Sequence, residues 1–207
     1  MSDLILPENL VPTELAGQGR RSVTFKANYA GETVALKVYR DEFIRKYQQR
    51  YKLNIAEFEL SRNQAFYSVE ALQPYSARPI KVLGVDDGYS LCFLQEFIEG
   101  PSLLELAIRK QGLPQSVLDA GKLICEQAES AGLHDLDLFY KNILLRKPDD
   151  IWLPVIHDFN LVPQYKFPPN PFLAFAYLSG IRKRSHRDWR CLKGWRAWSD
   201  RCHSEHD

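Results

Sequence analysis

The sequence lacks a stretch that reads as a membrane span or a secretory leader. No uninterrupted apolar run approaches the roughly 20 residues a spanning helix needs. MSDLILPENLVPTEL opens the chain without the positive stretch and apolar run of a standard signal peptide. Cysteine is scarce: Cys92, Cys125, Cys191 and Cys202 lie far apart, form no C-x-x-C pair and make no disulfide-scaffold pattern. These absences set the expectation of a reducing, cytoplasmic compartment. Neither sign of charge dominates, the formal net charge being +1, and 45% apolar with 26% charged residues excludes both a disordered chain and a surface built wholly to coat nucleic acid. Internal repeats and low-complexity segments are absent as well. What remains is 207 residues, enough for one medium domain or two small lobes with a real core.

Residues Leu15 to Arg40 read as strand, glycine-containing turn, strand, turn, strand: SVTFKANY alternates, Gly31-Glu32 punctuates, and TVALKVY is rich in β-branched and aromatic residues. From Asp41 to about Leu72, apolar and charged residues recur at helical spacing with no proline among them, which predicts one long helix or two in succession. Two strand-like runs follow, ARPIKVLGV and GYSLCFLQEFI, separated by Asp86-Asp87-Gly88, a hairpin signal. After Glu99-Gly100-Pro101 the pattern turns helical through SLLELAIRK and SVLDAGKLICEQAESAG, with Ser102 and Ser116 as expected N-caps. HDLDLFYKNILL, the strand-like IWLPVIHDF, a proline-rich bend at PPNP and a final amphipathic helix complete the chain. A sheet-rich first half thus joins a helical second half near residue 98.

Four separated signals occur in one order. Gly17-Gln18-Gly19-Arg20-Arg21-Ser22-Val23 lies between two strands, where glycine lets backbone amides approach phosphate oxygens as a cover over a nucleoside triphosphate. An ordinary glycine hairpin is the plainer reading, and Ser22 stands where the usual pattern has its third glycine. Val34-Ala35-Leu36-Lys37-Val38 is a strand apolar but for one lysine. A half-buried ammonium is costly unless an anion meets it, and nucleotide phosphates together with a helix glutamate are such anions; a solvent-facing lysine is the alternative.

Asp137-Leu138-Phe139-Tyr140-Lys141-Asn142-Ile143-Leu144 sets an aspartate five residues before an asparagine that opens an apolar strand. In that spacing the carboxylate accepts or orients an acceptor hydroxyl, the amide oxygen holds magnesium, and Lys141 adds positive charge beside the transferring phosphoryl group. Read blandly, the segment is a polar turn. Val155-Ile156-His157-Asp158-Phe159-Asn160 ends an apolar strand on a carboxylate, a hard oxygen ligand for magnesium bridging the phosphates. Asn160 takes the place of a glycine, and asparagine tolerates the left-handed backbone glycine would supply. His157 is assigned packing only.

On these motifs the sequence resembles the protein-kinase-like superfamily from about Glu14 to Tyr165. More narrowly it resembles the small bacterial members, the lipopolysaccharide core kinases and the minimal kinase-like proteins grouped with the PhoP regulatory network. The resemblance implies an α+β, minimal bilobal fold. Residues 1–98 would be an N-lobe of antiparallel sheet plus helix carrying the Gly-rich loop and strand lysine. Residues 99–207 would be a reduced C-lobe with the catalytic loop and the metal-binding aspartate. It further implies ATP and Mg2+ as cofactors and a hydroxyl-bearing acceptor, either a protein Ser or Thr or a sugar of a lipopolysaccharide core, with a nucleotide- or partner-binding pseudokinase as the rival.

Gly17, Gly19 and Ser22 would then cover the phosphates, Lys37 would hold them, and Glu59 would pair with Lys37, with Glu57 or Asn63 as the other alignments. Backbone groups of Glu96, Phe97 and Ile98 would bind adenine, with Ala35, Leu94 and Leu144 or Ile156 around the ring. Asp137 is the implied catalytic carboxylate with Lys141 beside it, and Asn142 and Asp158 are the implied metal ligands. The family pattern is incomplete: no Ala-Pro-Glu follows Asp158, and Asp135-Leu136-Asp137 stands where His-Arg-Asp is common. Control by a phosphorylated activation loop is therefore not expected.

The stretch from Ile181 to Arg201 is densely basic and holds Trp189, Trp195 and Trp198. Cys191, Leu192, Trp195, Trp198 and Cys202 recur at helical spacing, while Arg187, Arg190, Lys193, Arg196 and Arg201 mostly take the other side. Two readings follow. The tryptophan face seals a shortened second lobe; the basic helix of residues 182–201 is drawn to an anionic surface, either inner-leaflet lipid in peripheral contact or a phosphorylated glycolipid acceptor, with its tryptophans at the interface; the two are compatible. No nucleic-acid module accompanies the patch, so nucleic acid is not expected as a partner.

Overall fold

The computed structural model describes residues 4–84, 86 and 88–204. Asp87 of the expected hairpin and Met1 to Asp3 of the N-terminal stretch lie outside them. The chain divides into two compact units, residues 1–64 with 77–97 and residues 65–76 with 98–207.

The first unit is built on a five-stranded antiparallel sheet of β1 (Leu10–Gln18), β2 (Ser22–Tyr29), β3 (Glu32–Tyr39), β4 (Pro79–Leu83) and β5 (Cys92–Glu96), in the order β1-β2-β3-β5-β4. The first strand begins at Leu10, earlier than its residues predict, because Leu10 to Pro12 pair with Tyr29 to Ala27. Pro12 is tolerated there since β1 is an edge strand, where a missing N–H costs little. Along β3, Val34, Leu36 and Val38 stand opposite Glu96, Leu94 and Cys92 and join an apolar cluster with Leu10, Ala27 and Leu83. By strand alternation Ala35, Lys37 and Tyr39 take the other face.

The helical stretch after β3 is two helices, α1 (Asp41–Tyr51) and α2 (Ile55–Tyr67). The break needs no proline. Lys52 closes α1 in the left-handed region (φ 58°) with its N–H on Tyr47 O, and Asn54 Oδ1 accepts from the N–H groups of Ala56 and Glu57 at 3.0 and 3.3 Å to start α2. Ile55 to Gln64 belong to the first unit and Ala65 to Tyr67 to the second.

The second unit holds α3 (Leu103–Ile108), α4 (Gln115–Ser130), the antiparallel pair β6 (Ile143–Arg146) and β7 (Leu153–Ile156), α5 (Pro171–Leu178) and α6 (His186–Ser204). A reciprocal cap starts α3: Glu105 N–H donates to Ser102 Oγ at 3.2 Å and Ser102 N–H to Glu105 Oε2 at 2.6 Å. The other expected cap is corrected. Pro114 is the N-cap of α4, and Ser116, already inside the helix, donates its hydroxyl to Trp152 O at 3.0 Å. The PPNP bend is itself a helix start that the sequence reading passed over, since Asn170 Oδ1 accepts from Leu173 N–H at 2.9 Å and Pro171 fills the first position of α5.

Leu192, Trp195, Trp198 and Cys202 of α6 are buried in the core of this unit with Val117, Ile124, Ile143, Ile156 and Phe159. The tryptophan face therefore seals the unit, and Trp195 and Trp198 are not at a lipid interface as the second reading had them. Gly121 on α4 permits the contact, because a Cβ there would lie 2.8 Å from both Leu192 Cδ1 and Trp195 Cζ3.

Gly100 tests the packing of this unit. Its φ is +155°, and a Cβ would sit 1.9 Å from Leu145 O, whose own N–H is bonded to Pro101 O at 2.8 Å. Gly100→Ala is expected to cost about 3 kcal/mol or more in urea unfolding. Gly132→Ala, at a left-handed φ of +71° with nothing within 4 Å, should cost only about 1 kcal/mol. Equal losses at the two positions would contradict the steric account.

Candidate active site

Lys37 is 3% exposed and Glu59 0%. Lys37 Nζ donates to Glu59 Oε1 at 2.5 Å, and Tyr39 Oη donates to Glu59 Oε2 at 2.5 Å. Lys37 and Tyr39 are two residues apart on β3, hence on one face, and α2 brings the carboxylate to that face. A buried ammonium is tolerable only with such a partner. Of the three α2 residues considered, Glu59 is the one bonded to Lys37. Glu57 is exposed in the first turn, and Asn63, one turn beyond Glu59, is buried with its Nδ2 on Ala77 O at 3.1 Å.

The Gly-rich segment forms a tight turn at Gly19-Arg20-Arg21. Gly19 N–H donates to Ser22 O at 2.9 Å, and neither Gly17 nor Gly19 is left-handed. A Cβ at Gly17 would meet nothing within 4 Å, so packing does not demand glycine there. Ser22 is a buried strand residue opposite Tyr39 rather than part of the loop tip, because β2 already begins at it. At the end of β5, Glu96 N–H donates to Arg78 O at 2.8 Å and Glu96 Oε2 accepts from Arg78 N–H at 3.1 Å. The Glu96 N–H is thus a sheet donor. Strand pairing also corrects Leu94. It stands opposite Leu36, whereas Ala35 stands opposite Gln95, so Leu94 and Ala35 are on opposite faces and Leu94 is core.

In the second unit, pairing of Ile143 with Ile156 sets the residue before β6 beside the residues after β7. His157 N–H reaches Asn142 O at 3.4 Å, one residue from Asp158. Asn142 is buried and its Nδ2 donates to Asp137 O at 3.1 Å, which leaves the amide oxygen as the end suited to a cation. Asp137 O also accepts from Phe139 N–H at 2.6 Å. Asp137, Asn142 and Asp158 therefore gather at one end of the hairpin. Lys141 is exposed, with its carbonyl 3.3 Å from His157 Nε2. Ile156 is fully buried in the core, while Leu144 takes the other face opposite Val155 and is half-buried.

Asn160 is not left-handed. The turn expected from it is held instead by Asp158 Oδ1, which accepts the Asn160 N–H at 3.3 Å. Phe159 packs on Phe66 with ring centroids 5.3 Å apart. Among the described residues no three His, Cys, Asp or Glu side chains form a metal cage. Magnesium seldom needs one, since it is commonly held by one or two carboxylates plus phosphate oxygens, and the donor pair Asn142 and Asp158 fits that habit.

The left-handed residues of the loop are Asp135 (φ 57°) and Asp137 (φ 59°). Asp188, in the first turn of α6, holds the loop: its Oδ1 accepts from Leu136 N–H at 2.8 Å and its Oδ2 from Asp135 N–H at 2.9 Å. Trp195 Nε1 donates to Leu138 O at 3.0 Å. Asp135 Oδ2 accepts from Gln164 N–H at 2.6 Å, and Arg187 Nη1 lies 3.4 Å from its other oxygen. The sequence reading missed Asp188. In Ser185-His186-Arg187-Asp188 it looks like the acid of a helix capping box, and only the fold turns it toward the loop. Burial pushes its carboxyl up to about 7, against the Leu136 and Asp135 N–H groups and Arg187, which favour the ionised form.

No family model and no curated protein matches the sequence. Among solved structures, the kinase domain of Mycobacterium tuberculosis PknI, crystallised as a double mutant, is similar with a TM-score of 0.57 at 18% identity, over 93% of this chain and 72% of that one. The likeness establishes an α+β, protein-kinase-like fold.

Two measurements probe these contacts. Glu59→Leu, which strands a buried ammonium, should cost about 3–5 kcal/mol in urea unfolding, and adding Lys37→Met should recover most of it; additive losses would contradict a direct pair. For Asp188 the folded pKa of about 7 lies above the unfolded 3.8, so the folded chain keeps a proton that the unfolded chain has released. Its stabilisation is full below about pH 4 and declines as pH rises to 7. Thermal stability of the wild type should accordingly fall across that window relative to Asp188→Asn, which does not titrate; parallel curves would refute the assignment.

Proposed function

We propose that this chain is an ATP- and magnesium-dependent phosphotransferase that moves the γ-phosphoryl group to a hydroxyl acceptor. The observation that carries the reading is the gathering of Asp137, Asn142 and Asp158 at one end of the β6/β7 hairpin, together with the buried Lys37–Glu59 pair. Residues 1–98 supply the nucleotide-binding groups: Lys37 for the phosphates, Gly17 and Gly19 for their cover, Phe97 and Ile98 for adenine. Residues 99–207 supply the chemistry. Asn142 and Asp158 would hold magnesium, which offsets the charge on the phosphates. Asp137 orients the acceptor hydroxyl and takes its proton as the new O–P bond forms and the bond to the bridging oxygen breaks. Lys141, exposed beside the loop, adds positive charge near the transferred group.

The acceptor hydroxyl belongs to a protein Ser or Thr or to a sugar of the lipopolysaccharide core type. A second reading, a nucleotide-binding pseudokinase, is favoured by the Gly19 N–H being engaged within its own turn and by Asn160 in place of glycine. The four cysteines are free, and Cys92, Cys125 and Cys202 are buried; burial pushes the Cys92 thiol up to about 12 and the Cys191 thiol up to about 11. Unpaired and largely buried thiols suit a reducing cytoplasmic compartment. Among the described residues no helix is long and apolar enough to cross a membrane.

Incubation with γ-labelled ATP and magnesium, with protein and glycolipid acceptors, should give transfer that falls at least about a hundredfold in Asp137→Ala and in Asp158→Ala. A magnesium-dependent thermal shift with ATP but no turnover above those variants would favour the pseudokinase. Neither binding nor turnover would end both readings.

A further inference from the structure

Helix α5, PFLAFAYL, carries no charged residue, and a helix apolar all round is ordinarily buried. This one is not. Phe172 is 87% exposed, Phe175 65%, Leu178 88% and Ile181, just past its end, 75%. Single exposed apolar side chains need no explanation, but four at three-residue spacing on one short segment form a patch that calls for an occupant. None is needed for the core of the unit, which is closed by Leu192, Trp195 and Trp198 of α6.

The surroundings select the occupant. Within the segment from Lys166 to Arg196 the only acid is Asp188, which is buried under the loop; from α4, Glu129 accepts from Trp189 Nε1 at 2.8 Å and shares a cavity lining with Ile181 and Lys183, one carboxylate against a larger number of cations. Lys166, Lys183, Arg184, Arg190, Lys193 and Arg196 are all exposed. Lys166 Nζ and the Arg184 guanidinium both lie over the Tyr165 ring, 6.0 and 5.1 Å from its centre, and the Arg182 guanidinium lies over the Tyr177 ring of α5, 5.5 Å from its centre. Arg182 N–H donates to Ala176 O at 2.8 Å, folding the basic turn back onto the end of α5. A second copy meeting this face would bring two sets of cations together. An anionic surface with an apolar layer beneath it matches both features at once, and at eight residues α5 is suited to lie in such a layer and not to cross it.

We propose that α5 and its cationic flank dock this protein on an anionic phospholipid bilayer. Phe172, Phe175, Leu178 and Ile181 enter the boundary between headgroups and acyl chains, while Lys166, Lys183 and Arg184 meet the headgroup phosphates. The proposal stands apart from the phosphotransferase reading, and its test uses no nucleotide.

The full chain is floated with phosphatidylcholine vesicles and with equimolar phosphatidylcholine–phosphatidylglycerol vesicles. Wild-type protein should float with the anionic vesicles only, and added salt should weaken the binding. Binding should drop at least about tenfold in Phe172→Ser/Phe175→Ser/Leu178→Ser and in Lys183→Glu/Arg184→Glu. Phe175→Leu, which keeps the apolar area, should still bind, and wild-type thermal unfolding of each variant checks that it is folded. The proposal is overturned by absence of flotation on anionic vesicles, by flotation that survives the serine substitutions, or by α5-dependent dimerisation or capture of an acidic protein in the absence of vesicle binding.

Discussion

The loop from His134 to Asn142 depends on one carboxylate. Asp135 and Asp137 both hold left-handed backbone, a conformation that costs a non-glycine residue about 1 kcal/mol or more. Such a loop persists only where its surroundings over-determine it. Asp188 does so by accepting two consecutive N–H groups with its two oxygens, and Trp195 fixes the next carbonyl, at Leu138. Asn142 closes the far end by donating to Asp137 O. A C-terminal helix that looks like a lid by composition is therefore the positioning device for the candidate catalytic aspartate. Its approach is set in turn by Gly121, where any side chain would collide with Leu192 and Trp195.

The first unit solves a different problem with the same economy of parts. An ammonium buried on a sheet face cannot reach water, so Lys37 is held by a carboxylate that Tyr39 also satisfies. The arrangement leaves Glu59 with both oxygens engaged and fixes the Lys37 stem by the sheet and its head by the helix. In both units the candidate site residues sit where regular structure positions backbone and side chain together: a strand face opposite a helix in one, the open end of a two-stranded hairpin in the other.

Much of this was readable from the chain. The alternation in SVTFKANY and TVALKVY, the lone lysine in an apolar strand, and the spacing of Asp137, Asn142 and Asp158 pointed to the meander and to three of the clustered groups. Helical spacing narrowed the lysine's partner but did not choose it. Glu59 and Asn63 are four apart and share a helix face, so only the packing of α2 tells them apart. Leu94 was misplaced because strand pairing is a non-local property: opposite which residue of β3 it falls decides its face, and a shift of one residue reverses the answer.

The patterning of the sequence by itself determined most of the strands and helices, α5 and the exact ends excepted, because alternation and helical periodicity are local consequences of where side chains point. It also determined the order of the charged motifs. The tertiary structure alone decided where α6 directs Asp188 and its tryptophans, that Ile156 is core and Leu144 is not, and that the apolar helix after PPNP is left uncovered. Each of these depends on what lies across from a residue in space, and a linear pattern records which faces are apolar without recording what meets them.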